Sequence, residues 1–185
     1  MSPSLIKPVF DVLLALFAFL LALPVLLLSM LLILCVDRHH PLFLQARVGL
    51  GKKPFVIIKL RTMKQGQVSG LGRVLRQTGI DELPQLLNVL RGDMSLVGPR
   101  PHALGSRAGN DLFWQASKKY WLRHALKPGI TGLAQIRGFR GATEHAGDLE
   151  KRVRCDLEYL TNWSIGLDLI IMIKTINVVV HKNAY

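Results

Sequence analysis

Residues 12–36 read VLLALFAFLLALPVLLLSMLLILCV, 25 residues without a charge, bounded by Asp11 and Asp37. About 20 apolar residues are enough to cross the hydrocarbon core of a bilayer as a helix. A secretory signal has a shorter apolar core followed by a small-residue cleavage site. Here Leu31-Leu32-Ile33-Leu34 simply continues the run, so the segment reads as a retained membrane anchor. Lys7 precedes it, whereas Arg38, Arg47, Lys52 and Lys53 follow it. That asymmetry of bases places residue 38 onward on the cytoplasmic side. Pro24 lies in the middle of the run, where it removes a helical hydrogen bond and bends the axis. Two geometries fit these residues: a kinked span with the N-terminus outside, or a hairpin turning near Pro24 with both ends cytoplasmic.

Outward from the anchor, the 185 residues divide into a membrane segment, 1–37, and one domain, 38–185. Half of all residues are hydrophobic, yet the formal net charge is +12. The apolar residues concentrate at the N-terminus and the bases follow them, which points to a membrane surface or a polyanionic ligand. Cys35 and Cys155 are isolated and lack metal spacing, so both read as reduced and structural. The histidines His39, His40, His102, His124, His145 and His181 are scattered without ligand spacing. No phosphate-binding glycine loop, dinucleotide fingerprint, Gly-x-Ser-x-Gly elbow or zinc motif occurs. The bases abut an anchor and no nucleic-acid-binding signature accompanies them, so no nucleic-acid partner is expected.

Patterning within the domain predicts a mixed, mostly helical α+β fold. Arg38 to Pro54 reads as loop and short extended structure. Phe55-Val56-Ile57-Ile58-Lys59-Leu60 is β-branched and compact, hence a strand. Lys64 to Gly72 reads as loop, and Leu133 to Ile136 as a short strand after the turn Pro128-Gly129-Ile130-Thr131-Gly132. Thr78 or Asp81 caps a helix that runs to Leu90 or Arg91, tolerates Pro84 in its first turn and stops at Gly92. Phe113, Trp114, Tyr120 and Trp121 recur at helical spacing between Asp111 and Leu126. Asp148 to Leu160 is a charged helix. Trp163 to Val180 carries apolar residues at a helical period, either as a core helix or lying in the membrane interface.

Residues 80–101, IDELPQLLNVLRGDMSLVGPRP, hold the chemistry. From Arg38 to Ile80 there are nine bases and no acid; then Asp81 and Glu82 arrive together. At a helix N-terminus an anion is stabilised by free N–H groups and the dipole. A carboxylate there stays ionised and can attack phosphorus or hold Mg²⁺, and capping alone is the plainer reading. Arg100, fixed between Pro99 and Pro101, offers a planar fork suited to phosphate oxygens, and equally fits a surface turn. Arg73 and Arg76, three apart, share a face if their segment is helical.

These residues resemble the bacterial sugar transferases, the monotopic phosphoglycosyl transferases, over nearly the whole chain. The resemblance is carried by Lys7-x-x-x-Asp11, Arg47-Val48-Gly49, Phe55-x-x-x-Lys59-Leu60-Arg61-Thr62-Met63 and Asp81-Glu82-Leu83-Pro84-Gln85-Leu86. It continues through Gly92-Asp93-Met94-Ser95-Leu96-Val97-Gly98-Pro99-Arg100-Pro101, Lys127-Pro128-Gly129-Ile130-Thr131-Gly132, Asp156-x-x-Tyr159 and Asp168. It departs from that pattern at Pro8, at Leu23 and in the short stretch from Lys64 to Gly72.

The resemblance implies a sugar-1-phosphate transfer from a UDP-sugar to a polyprenol phosphate, with UMP leaving, on the cytoplasmic face of a bacterial inner membrane. It implies Asp81 as nucleophile and Glu82 as its helper, with Mg²⁺ held by Asp81 and Glu82. Arg100, Arg76, Lys59 and Arg61 are the implied phosphate-binding residues. It also implies a membrane helix broken at Pro24 into a re-entrant hairpin, interfacial amphipathic helices, and the minimal catalytic form without a further membrane domain. The lipid bilayer and a second copy of the chain are candidate partners. The competing expectation is a non-catalytic membrane adaptor that binds polyprenol phosphate or anionic lipid, against which the intact dyad and Arg100 speak.

Overall fold

The computed structural model describes residues 6–139 and 146–180; His145 and His181 lie outside them. Its first element, α1 (Ile6–Leu32), passes through Pro24 as one α-helix and closes in a π turn over Ile33–Asp37. The expected break at Pro24 is therefore not a break in helical structure. The missing N–H removes one bond, and the flanking apolar residues sustain the rest of the helix.

One face of α1 is buried at Lys7, Asp11, Ala15, Leu26, Ser29 and Ile33, a stripe that keeps helical period on both sides of Pro24. The opposite face leaves Leu13, Phe17, Leu20, Leu21, Leu27, Leu28 and Leu31 more than half exposed. The helix lies along the domain for its full length. Its first half packs with Leu86, Val89 and Ile171, and its second half with Leu60 and Leu75.

The domain is α+β with no large sheet among the described residues. β1 (Leu42–Val48) and β2 (Pro54–Leu60) form an antiparallel hairpin in which Phe43 faces Lys59 and Gln45 faces Ile57. The strand expected at 55–60 is thus present. The segment from Lys64 to Gly72, expected as loop, instead holds β4 (Gln67–Val68), which pairs with β3 (Met63–Lys64), and the start of α2 (Gly70–Thr78). Ser69 caps α2 by accepting from the Gly72 N–H at 2.9 Å. Gly72 lies against the Thr62 carbonyl so closely that a Cβ would collide with that backbone.

The helix expected from Thr78 or Asp81 to Leu90 is not a single capped helix. Gly79 takes a left-handed conformation, Ile80–Gln85 forms a 3₁₀ turn, and only α3 (Leu86–Leu90) is α-helical. Pro84 cannot donate to a preceding carbonyl, which favours the tighter turn. β5 (Ser95–Val97) pairs in parallel with β8 (Gly129–Thr131). A Cβ on Gly129 would strike the Gly98 backbone, so this pairing needs both glycines.

Two further readings are corrected. Leu133–Ile136 is a short helix, α5, since the strand ends at Thr131. The aromatic stretch from Asp111 is not one helix. A two-residue hairpin of β6 (Arg107–Ala108) and β7 (Asp111–Leu112) precedes a single turn, α4 (Phe113–Ala116), and a 3₁₀ segment Tyr120–Ala125. Those rings converge by tertiary packing, with Phe113, Tyr120, Leu149 and Val153 in one core cluster.

α6 (Ala146–Asn162) and α7 (Ile165–Val180) close the fold. Of the alternatives left for α7, the core-helix reading describes one of its faces. Asp168 and Ile171 are buried against the domain, while Leu169, Ile170, Ile173 and Ile176 are exposed.

Candidate active site

The hairpin β1–β2, helix α2, the 3₁₀ turn at 80–85 and the turn after β5 converge on a cleft of about 410 Å³. All six residues singled out for chemistry border it: Lys59, Arg61, Arg76, Asp81, Glu82 and Arg100. Phe43, Gln45 and Arg47, every second residue of β1, border it too. Side chains two apart on a strand share a face, so β1 presents these three together.

Glu82 is clamped. Its Oε1 accepts from Lys59 Nζ at 2.7 Å and from Arg100 Nη2 at 2.6 Å, and its Oε2 accepts from Arg100 Nη1 at 3.2 Å. Burial alone would raise its pKa. Arg100 and Lys59 overcome that and hold Glu82 well below the usual carboxylate range. Glu82 therefore stays ionised, and its lone pairs are committed to two cations. This geometry makes it a poor proton acceptor and a good anchor for Arg100.

Asp81 behaves differently. It is buried, and among the described residues it accepts no hydrogen bond and forms no ion pair. Burial and the neighbouring Glu82 charge push its pKa up to about 6, against the attraction of Lys59, Arg76 and Arg100. The sequence expectation is a carboxylate kept ionised by a helix N-terminus, and the structure gives it weaker support than that. A six-residue 3₁₀ turn leads in with no side-chain cap, and desolvation wins. At neutral pH the group is still mostly ionised, with its oxygens uncommitted.

Arg76 is positioned by its Nε donating to Thr62 Oγ1 at 2.8 Å. Arg47 Nη1 donates to the Pro101 carbonyl at 3.2 Å, tying β1 to the Pro-Arg-Pro turn. Arg61 lies over the Phe43 ring, 6.0 Å from its centroid.

Behind Arg100 stands a buried polar network that sequence reasoning missed as a unit. Arg123 Nε donates to Asp156 Oδ2 at 2.7 Å, and Arg123 Nη2 donates to the Arg100 carbonyl at 2.8 Å. Arg123 Nη1 lies 3.0 Å from His102 Nδ1, and Arg152 Nη1 lies 3.3 Å from His102 Nε2. Burial and these guanidiniums keep the His102 pKa well below its ordinary value, so the ring is neutral. A fully buried Arg–Asp pair reaching the backbone of Arg100 fixes the turn that aims its side chain. Asp156 was visible in sequence only as part of a motif. Arg123 carried no signal, because its partner is 33 residues away.

Among the described residues no group of three or more His, Cys, Asp or Glu side chains converges. The cleft's acidic groups are Asp81 and Glu82. Mg²⁺ is commonly held by one or two carboxylates together with substrate phosphates, and the uncommitted oxygens of Asp81 suit that arrangement.

Residues 2–182 match the profile of the family described as bacterial sugar transferase. The chain belongs to that family. The transferase is 44% identical over 97% of its length to a UDP-glucose:undecaprenyl-phosphate glucose-1-phosphate transferase of Caulobacter vibrioides, spanning 72% of that protein. It is 41% identical over 98% of its length to the Escherichia coli protein of the same name, but spans only 42% of it. It is 42% identical over 92% of its length to an exopolysaccharide production protein of Rhizobium leguminosarum, spanning 93% of that chain. The transferase thus covers under half of the longer E. coli relative and nearly all of the Rhizobium one.

Proposed function

We propose that this protein transfers a sugar-1-phosphate from a UDP-sugar to undecaprenyl phosphate, releasing UMP, as the initiating step of exopolysaccharide or glycoconjugate synthesis. The observation that carries the reading is the division of labour within the dyad. Asp81 offers uncommitted oxygens beside three cations, and Glu82 holds two of those cations in place.

An Asp81 carboxylate oxygen attacks the β-phosphorus, and the bond from that phosphorus to the bridging oxygen breaks. UMP carries that oxygen away, and the sugar phosphate stays on Asp81. An oxygen of undecaprenyl phosphate then attacks the same phosphorus and displaces the Asp81 carboxylate. Arg100, Lys59, Arg76 and Arg61 surround the phosphates, where fixed donors stabilise developing charge. Asp81 is the carboxylate that would hold Mg²⁺, which would supply charge neutralisation for the diphosphate.

The exposed apolar faces of α1 and α7 support a membrane-bound placement, since apolar patches of that extent do not persist in water. The N-terminal part of α1 is tied to the domain by Lys7 with Asp168 at 2.7 Å, and its C-terminal end by Ser69 donating to Asp37 at 2.8 Å. Two ends of one continuous helix held by one domain favour a placement in which both ends lie on the cytoplasmic face, without a hairpin turn at Pro24. Labelling a cysteine placed at Ser4 from the periplasm would contradict it.

The central test is incubation of the purified protein with radiolabelled UDP-sugars, undecaprenyl phosphate and Mg²⁺. Lipid-linked product and UMP should form with wild type and fall below detection with Asp81→Asn. Without acceptor, the intact protein should gain one sugar phosphate in mass, and Asp81→Asn should not. No turnover across a broad donor panel, together with complementation of a deletion strain by Asp81→Asn, would leave the adaptor reading standing.

A further inference from the structure

We propose that Phe43 and Gln45 form the subsite that recognises the uracil of the nucleotide donor. This rests on the reading of the cleft as a UDP-sugar site. Phe43 is 37% exposed although it borders a cleft otherwise walled largely by charged and polar groups. It stands opposite Lys59 in the β1–β2 ladder, so its ring lies one strand away from a clamp on Glu82. The Arg61 guanidinium lies over the ring face, 6.0 Å from its centroid, so a planar ligand would stack on the guanidinium or insert between the two. Such a surface suits a planar, polar ring, because a base stacks on an aromatic face and on a guanidinium plane alike.

Gln45 is the next residue on the same face. Its Oε1 accepts from Arg47 Nη2, which orients the amide. Its Nε2 is thereby left to donate. Uracil presents a carbonyl oxygen at position 4 that can accept, whereas cytosine presents an amino group that cannot. Phe43, Gln45 and Arg47 therefore read along β1 as base stack, base edge and anchor of the Pro-Arg-Pro turn. An isoprenoid chain is the other ligand an exposed phenyl ring could take. Phe43 has Lys59 across the ladder and Arg61 over its ring, which would leave such a chain against charge, although Leu60 and Met63 also line the cleft.

The test is calorimetric titration of UMP, CMP and inorganic phosphate into the detergent-solubilised full chain, so that chemistry is not needed for the readout. Phe43→Leu should weaken UMP on the order of tenfold while phosphate affinity stays unchanged, which also reports an intact cleft. Phe43→Trp should bind UMP at least as tightly as wild type. Gln45→Ala should lose the preference for UMP over CMP. If UMP affinity is the same in wild type, Phe43→Leu and Phe43→Trp, the subsite is refuted while the transferase reading stands. If Phe43→Leu leaves UMP affinity unchanged and instead weakens undecaprenyl phosphate titrated into the same detergent-solubilised chain, the ring serves the isoprenoid and the inference is wrong. If wild type does not bind UMP at all, the UDP-sugar reading itself fails, and this subsite with it.

Discussion

Lys7 sits between two carboxylates, and Glu82 sits between two cations. In the first cluster Lys7 Nζ lies 2.7 Å from Asp168 and 3.4 Å from Asp11. Tyr159 donates to Asp168 at 2.6 Å and Ser95 to Asp11 at 2.6 Å. Each of these groups is buried, and Lys7, Asp11, Ser95 and Tyr159 border a second, mostly apolar cavity of about 310 Å³. In the second cluster Lys59 and Arg100 hold Glu82 at the edge of the open cleft. The first cluster has its hydrogen bonds closed within the protein and ties α1 to α7. The second presents cations to a space that a phosphate can enter, so the same interaction becomes a device for preparing Arg100. What borders each cluster separates the two: a mostly apolar cavity beside Lys7, a cleft ringed by further cations beside Glu82.

Breaking the Lys7 cluster should have the largest effect on stability. Lys7→Met leaves two carboxylates buried without their cation, and removing one partner of such a pair costs about 3–5 kcal/mol. Chemical denaturation in detergent should show that loss, while activity per folded molecule is largely kept. A Lys7→Met protein as stable as wild type would mean that the two clusters do not differ as argued.

The Glu82 cluster should respond in the opposite sense. Arg100→Lys keeps the charge but loses the two-pronged contact with Glu82. A fall of roughly 100-fold in kcat/KM, with stability changed by less than about 1 kcal/mol, is the expected result. Steady-state kinetics and a melting curve on the same preparation decide it.

The comparison within the dyad sharpens by pH. Asp81 must be ionised to attack, so the single-turnover release of UMP should fall about tenfold per unit below a pH near 6. Glu82 should not contribute to that limb, because it is ionised throughout. The stability effect of Asp81 runs the other way. Its folded pKa is raised from 3.8 to about 6, so folding favours the protonated form and stability is lost as pH rises through that window. At pH 8 the Asp81→Asn variant should then be more stable than wild type, by up to about 3 kcal/mol. An acid limb that persists in Glu82→Gln but moves to lower pH, because the Glu82 charge no longer raises Asp81, together with a stabilised Asp81→Asn, would establish the asymmetry. A destabilised Asp81→Asn would contradict it.

Much of this arrangement is legible along the chain, wherever a local rule governs. The strand at 54–60 shows in its β-branched run, the helix at 165–180 in its period, and α1 in its uninterrupted apolar stretch. Local rules failed where packing overrode them. Leu133–Ile136 is apolar enough for a strand, but pairing with β5 ends at Thr131 and the chain turns into α5. The aromatic residues from Phe113 to Trp121 imitate a helical period while being gathered from a short helix and a separate 3₁₀ turn.

The order of residues thus establishes an apolar helix, a basic lead-in, a carboxylate pair and an arginine held between prolines, because each depends on composition and near-neighbour spacing. It also carries the motifs that place the chain in its family. Which of two adjacent carboxylates is free and which is clamped could not be read there. That choice depends on Lys59, 23 residues before Glu82, and Arg100, 18 residues after it, meeting on one side of a 3₁₀ turn. Burial and charge act through space, so the fold leaves Asp81 uncommitted and clamps Glu82, the arrangement on which the proposed roles rest.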